Sequence, residues 1–242
     1  MIFTIFHTGS GGNNYRLEFD DSTAIMLEAG KTSHFDAFRE FCKRGERVET
    51  YAGLITTHEH KDHHGAVQAF AEAGMPIGVT STLCNASHVR IATLELKHGC
   101  PCKGYIIANT TTREACVFLI DFFEIVNPAN LYATLRWLVG EEYRIMFAVE
   151  LSYCEFLYKK LPVEQRVGLD RHLSDEGFIS LFKELAKVAP IDNVVTLHAS
   201  GREILNKGFH ADVCPRDYLI KFLKVRLGKF INIGQNGMSY RF

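Results

Sequence analysis

The sequence predicts a mixed α/β (α+β) chain folded as a four-layer αββα sandwich, two packed sheets with helices on both outer faces. Three observations predict it. The first half is strand-rich with two helices, the second half repeats that order loosely, and no low-complexity linker separates the halves. A length of 242 residues suits one large α/β domain over 1–242, or at a stretch two small ones. With 47% hydrophobic and 23% charged residues, such a chain can bury a sizeable core without covalent staples.

The elements follow in order. Residues 2–7 read as a strand rather than a signal peptide, because no basic segment and no long apolar run accompany them. A Gly-rich turn, Gly9-Ser10-Gly11-Gly12-Asn13, leads to strands at 15–19 and 23–27, joined at Asp20-Asp21-Ser22. Ser33 is placed to cap a helix running to about Cys42. Residues 53–56 form a short apolar strand, 64–72 a helix stopped by Gly74 and Pro76, and 77–80 another short strand. Strands are expected at 89–96, 104–108, 116–121 and 144–149, and a helix at 130–139. The spacing of Phe178, Leu181, Phe182, Leu185 and Val188 predicts a helix over 174–188. A strand at 194–197 ends at His198, a helix follows at 216–226, and a last strand at 229–233.

The formal net charge of −1 excludes a global basic field for gripping nucleic acid. No stretch of 18 consecutive apolar residues occurs, so no membrane helix is expected. The seven cysteines are odd in number and scattered, which points to a reducing, cytoplasmic compartment.

The segment Thr56-Thr57-His58-Glu59-His60-Lys61-Asp62-His63-His64-Gly65 carries the chemistry. His58 and His60 alternate, so both can point to one side of an extended turn, and Asp62 and His63 would open the next helix. Imidazoles and a carboxylate packed this closely suit Zn²⁺, which takes nitrogen and oxygen ligands. Their place at the end of an apolar strand and before a helix is that of a functional loop.

This His-x-His-x-Asp-His pattern resembles the signature of the metallo-β-lactamase superfamily, and further marks extend the resemblance along nearly the whole chain. Gly9-Ser10-Gly11-Gly12-Asn13 resembles an early turn of its phosphodiesterase branch, and Leu27-Glu28-Ala29-Gly30 stands where that branch has Asp-Ala-Gly. His98 follows a strand, Asp121 ends one, and His198 ends another. The resemblance implies two Zn²⁺ ions, with Mn²⁺ or Fe²⁺ as alternatives. One would be held by His58, His60 and His98, the other by Asp62, His63 and His198, with Asp121 between them. Two such ions can share and deprotonate a water near neutral pH, which makes a bridging hydroxide the implied nucleophile and Asp62 part of the catalytic set.

Later motifs point to the reaction. Glu150-Leu151-Ser152-Tyr153-Cys154 and Arg171-His172-Leu173-Ser174-Asp175 resemble stretches of the phosphodiesterase branch, whose histidine sits beside the reacting phosphate. The resemblance implies a catalytic His172 that hydrogen-bonds a phosphate oxygen or protonates the leaving oxygen, and substrate contacts from Ser10, Asn13, His172 and Ser174. Ser174 also reads as the N-cap of the following helix. The chain resembles the anti-Pycsar cyclic-nucleotide phosphodiesterases and the WalJ-type DNA exonucleases. The near-neutral charge and the short His63–His98 segment favour a small nucleotide, with nucleic acid as the alternative partner, and the first group implies a homodimer.

Four departures bear on substrate: Glu28 replaces an aspartate, Gly99 replaces the aspartate after His98, and Ser152 and Cys154 replace Asn and Asp. Loss of that aspartate is expected to loosen His98. Cys100 and Cys102 are read as structural, because two cysteines do not close a zinc site. His64 is read as a supporting or surface residue, and His7, His34, His88 and His210 as ordinary ones. Rival readings are a thioester hydrolase of the same fold, a non-catalytic metal scaffold and a di-iron redox enzyme.

Overall fold

A computed structural model describes all residues except 10–11, 20–21, 32–34, 80–87, 160–162, 164–170, 198–215 and 229–230. Ser10, Ser33 and His198 therefore lie outside the described residues.

Strands β1 (Ile2–His7), β2 (Asn14–Glu18), β3 (Ala24–Leu27), β4 (Tyr51–Ile55) and β12 (Ser239–Arg241) form a five-stranded sheet in the order β12-β1-β2-β3-β4. The second sheet has seven strands: β5 (Val89–Lys97), β6 (Pro101–Asn109), β7 (Glu114–Leu119), β8 (Glu124–Ile125), β9 (Arg144–Glu150), β10 (Asn193–Leu197) and β11 (Asn232–Ile233). Their order is β11-β10-β9-β7-β6-β5-β8.

The layering follows from the two-residue period of the strands. In β7, Cys116 and Phe118 join a cluster with Phe3, Ile5, Leu17, Ile25 and Leu27, which is the core between the sheets. The alternate residues Ala115, Val117 and Leu119 join a different cluster, with Leu131, Leu135, Phe178 and Phe182 from helices. β3 splits likewise: Ile25 and Leu27 face the inter-sheet core, while Ala24 and Met26 pack with Phe41 and Phe70. Strands buried on both faces read as unbroken apolar runs, as Ala24–Leu27 and Ala115–Leu119 do. The result is the αββα order expected from the sequence.

The helices are α1 (Ala37–Lys43), α2 (Lys61–His64) and α3 (Val67–Glu72) in the first half. In the second half they are α4 (Pro128–Gly140), α5 (Glu155–Tyr158), α6 (Asp175–Leu185) and α7 (Arg216–Leu227). Leu131, Leu135 and Leu138 recur at helical spacing and bury one face of α4, which opens on Pro128. Ser174 caps α6 as expected, its hydroxyl accepting the Gly177 N–H at 3.1 Å. None of the described helices is long and apolar enough to cross a membrane.

Local readings differ in four places. The described cap of α1 is Asp36, which accepts the Arg39 N–H at 3.1 Å. The helix expected over 64–72 is two helices, because the Ala66 N–H leaves the helical path to bond the Ala29 carbonyl at 2.8 Å. Of the strand expected at 77–80, the described residues 77–79 make a single bridge, Leu54 to Ile77. The mostly exposed β12, with no apolar run to announce it, pairs antiparallel with β1 and closes that edge of its sheet.

Candidate metal centre

The candidate site lies where strand ends from both sheets meet. β5, β7, β9 and β10 all run the same way, since β7, β9 and β10 are mutually parallel and β5 reaches β7 through two antiparallel pairings. Their C-terminal ends deliver His98, Asp121 and Glu150, and β10 stops at Leu197, one residue short of the undescribed His198. From the other sheet, β3 delivers Glu28, and β4 delivers the Thr56–His60 loop and α2.

Glycine makes the loop crossing feasible. A Cβ on Gly30 would lie 2.1 Å from the Asp62 carbonyl and 2.4 Å from the Asn13 nitrogen, so only glycine lets these backbones pass. The Asn13 N–H bonds the Asp62 carbonyl at 2.8 Å, and the Ala29 N–H bonds the His63 carbonyl at 2.6 Å. Two buried acids are projected from left-handed backbone, Glu28 at φ 64° and Asp121 at φ 53°. Such conformations cost about 1–3 kcal/mol each and persist where the surroundings over-determine them.

Asp121 is the hub. Its Oδ2 lies 3.3 Å from His58 Nε2, 3.0 Å from His63 Nε2 and 3.7 Å from His98 Nε2, and its Oδ1 lies 3.3 Å from His172 Nδ1. Asp62 Oδ2 stands 3.3 Å from His63 Nε2. His60 and His98 approach to 3.4 Å, and Cys100 Sγ lies 3.7 Å from His60 Nε2. Three groups among the described residues could hold a metal ion: His58, His60, His98 with Cys100; His58, His63 with Asp121; and His98, Asp121 with His172.

The donor set fits a divalent ion. His58 is buried, and its Nδ1 is 2.9 Å from the Thr57 hydroxyl, while its Nε2 makes no hydrogen bond and points into the cluster. Burial, with the neighbouring His58, lowers the pKa of His60, and burial also lowers that of His98. Both imidazoles are thus biased toward the neutral form a metal requires. His63 behaves oppositely. Burial works to lower its pKa, but the charges of Asp121 and Glu28 outweigh burial and hold it well above the ordinary value.

Several supporting contacts were not legible as such in the sequence. Glu28, noted only as a departure, is fully buried; it accepts the Thr57 N–H at 2.9 Å and faces His63 Nδ1 at 3.2 Å. Glu150 is fully buried too, accepting the Phe122 N–H at 2.8 Å, His172 Nδ1–H at 2.7 Å and the Ser152 hydroxyl. Burial would lower the pKa of His172, but Glu150 and Asp121 raise it to about 10.

Gly99 stands where an aspartate was expected to steady His98, and another group takes that contact. His98 Nδ1 donates instead to the Arg171 carbonyl at 3.2 Å, and a Cβ on Gly99 would sit 2.6 Å from the Arg171 guanidinium. A carbonyl serves as well as a carboxylate to fix the tautomer of a ligating imidazole.

Of the expected substrate contacts, Asn13 is fully buried. Its Oδ1 accepts from the Tyr15 hydroxyl and the Gly9 N–H, and its Nδ2 lies 3.1 Å from His63 Nε2. It braces the metal loop and presents nothing to solvent. Ser174 is spent on its cap and on a 3.4 Å bond to Glu155. His64 bonds Thr56 at 3.1 Å, outside the cluster. A cavity of about 350 Å³ adjoins the cluster, lined by Thr56, Thr57, His58, Glu59, His64, Cys100, Pro101 and Lys103.

Two helix-flanked sheets whose strand ends gather histidines and an aspartate define the metallo-β-lactamase fold, and the comparison with solved structures bears this out. The metallo-β-lactamase fold protein YhfI from Bacillus subtilis superposes with a TM-score of 0.66 at 13% identity, over 99% of this chain and 98% of its own. Human tRNase Z, short form, gives 0.62 at 12%, over 100% and 99%. Zn²⁺-bound PqqB from Methylobacterium extorquens gives 0.62 at 13%, over 100% of both chains. No protein-family model matches the sequence, and no curated protein matches it.

Proposed function

We propose that this chain is a metal-dependent phosphodiesterase acting on small nucleotides, cyclic mononucleotides foremost. The observation that carries the reading is His172, held on Nδ1 by buried Glu150 at 2.7 Å and standing 3.3 Å from Asp121 at the edge of the donor cluster.

His58, His60 and His98 would hold one ion, and Asp62 and His63 another, with Asp121 Oδ2 facing both sets. Bound there, two divalent ions would supply an acidified water and neutralise charge developing on phosphoryl oxygens. The chain's own residues do the rest. Glu150 fixes the ring of His172 and favours its charged form, so that Nε2–H is available to bond a phosphoryl oxygen or to protonate the leaving oxygen. Glu28 and the Arg171 carbonyl keep His63 and His98 in register. The adjoining cavity has the volume of a small-ligand site, and Lys103 on its wall offers a cation to a phosphate. A net charge of −1 favours a small nucleotide over a long polyanion. One of the neighbouring folds, a tRNase by name, is a nuclease.

The test is hydrolysis of a panel with metal content measured on the same sample. The panel holds cyclic pyrimidine and purine mononucleotides, bis-p-nitrophenyl phosphate, and single- and double-stranded DNA. Cleavage of cyclic mononucleotides with about two metals per chain is expected. Digestion of DNA with cyclic nucleotides untouched moves the chain to the exonucleases. Silence on every phosphodiester overturns the reading in favour of a thioester hydrolase or a scaffold.

A further inference from the structure

The histidines that would hold the first ion are not alone. Cys100 Sγ lies 3.7 Å from His60 Nε2, and the ligand atoms of His58, His60, His98 and Cys100 all fall within 4.8 Å of one another. Zn–N bonds near 2.0–2.1 Å and a Zn–S bond near 2.3 Å place the ligand atoms of a tetrahedral site about 3.3–3.7 Å apart. The Cys100 Sγ–His60 Nε2 separation of 3.7 Å falls in that range, and His98 Nε2 lies 3.4 Å from the other ring nitrogen, His60 Nδ1. The buried His58 Nε2, which makes no hydrogen bond, is a second observation pointing to a ligand in this cluster, where it faces Asp121 Oδ2 at 3.3 Å.

The second thiol nearby is differently placed. Cys102 Sγ is 3.9 Å from His58 Nδ1, the nitrogen already beside the Thr57 hydroxyl, and its thiol hydrogen-bonds the Asp121 carbonyl at 3.5 Å. Cys102 is also buried, while Cys100 is only half-buried.

We infer that Cys100 is the fourth ligand of the ion held by His58, His60 and His98, making a three-nitrogen, one-sulfur set selective for thiophilic divalent metals. The inference rests on the metal-binding part of the function proposed above. On binding, the thiol S–H bond breaks, its proton leaves to solvent, and a sulfur–metal bond forms. A thiolate favours Zn²⁺ or Co²⁺ over the oxygen-seeking Mn²⁺ and Mg²⁺. It would also fill a coordination position that an open site leaves to water, so the acidified water would fall to the ion held by Asp62 and His63.

Cobalt reports the sulfur directly. Chelator-treated full-length protein is titrated with Co²⁺ as wild type, Cys100→Ser and Cys102→Ser, and near-ultraviolet absorption is followed with bound cobalt measured by mass. The expected result is a sulfur-to-cobalt charge-transfer band in wild type and Cys102→Ser that is absent from Cys100→Ser. The expected affinity loss in Cys100→Ser is more than about tenfold, the low end of what losing even a residue behind a ligand costs. Cobalt bound to wild type without the band, or a band lost with Cys102 instead of Cys100, overturns the assignment while metal binding stands. Absence of bound cobalt from all three overturns both. Should Cys100→Ser fold poorly, retention of the band in Cys102→Ser, together with the alkylation of Cys100, decides. Alkylation of Cys100 by iodoacetamide, mapped by mass spectrometry, is expected to be blocked by Zn²⁺ and restored by chelation, and an unchanged rate overturns the proposal.

Discussion

Glu150 Oε1 lies 2.7 Å from His172 Nδ1, and the other oxygen of the same carboxylate takes the Phe122 N–H at 2.8 Å. Glu150 ends β9 and Phe122 follows Asp121, so one buried acid ties the histidine to the segment that carries the hub aspartate. His172→Asn is expected to lower kcat by about 10²–10⁴-fold, the usual worth of a positioned acid or base. Metal content should stay at the wild-type level. Loss of metal together with turnover would instead make His172 a ligand, as its place beside His98 and Asp121 allows.

Asp121 meets His58, His63 and His98 through one oxygen. Asp121→Ala should therefore lower occupancy of both metal positions. Elemental analysis of the purified variant checks this, and two full equivalents of metal per chain would rule out a shared role.

Glu28 stands behind His63 at 3.2 Å and behind the His58 loop through the Thr57 N–H. Glu28→Gln keeps the shape and removes the charge. Metal affinity is expected to fall about 10–100-fold, as for other residues that orient a ligand. Competition with a coloured chelator measures it, and unchanged affinity would reduce Glu28 to a packing residue.

The metal-free protein should have a distinctive pH response. His172 titrates near 10 and His63 also lies well above the ordinary histidine value of 6.5, so both hold protons more tightly folded than unfolded. Their contribution to stability is complete below about pH 6.5 and is lost as pH rises through the folded values, up to about 10 for His172. Chelated protein should thus melt at progressively lower temperature between those limits, and His172→Asn should flatten the slope. A melting temperature that rises across this window would contradict the charge-pairing described.

Gly30→Ala forces a Cβ to within 2.1 Å of the Asp62 carbonyl. Overpacking of this kind costs about 1–3 kcal/mol, or about 2–12 °C in Tm for a chain of this size. Metal content should fall with it, because the strained backbone is the one that carries Asp62 and His63. Wild-type melting and metal content would show that the loop has room to move.

The half of the site that the sequence made legible is the half that is contiguous. His58, His60, Asp62 and His63 fall within six positions after an apolar strand, so the pattern and its place in the fold could be read together. His98 and Asp121 were traceable because each follows a strand, and strand ends are where this sandwich gathers side chains. Glu28, Glu150 and the Arg171 carbonyl depend on approaches across the two sheets, which no local pattern encodes. Asn13 is expected from a Gly-rich turn to meet substrate, and its burial against His63, a contact that no local pattern encodes, adds a bracing role. The fold was legible through its apolar runs, and β12 was not, since Ser239, Tyr240 and Arg241 gain their strand character from the edge they cover.

The donors come from both sheets: the β4–α2 loop from one, His98 and Asp121 from the other. A bound ion is therefore a rivet through two layers, and the order of manufacture matters. When the α2 histidines leave the ribosome, the strands bearing His98 and Asp121 do not yet exist, and β12, which completes their own sheet, comes after all seven strands of the other. Metal capture thus waits until β5 and β7 have been made, and starving a cell of metal should leave an assembled but unriveted sandwich open to proteolysis at its site edge.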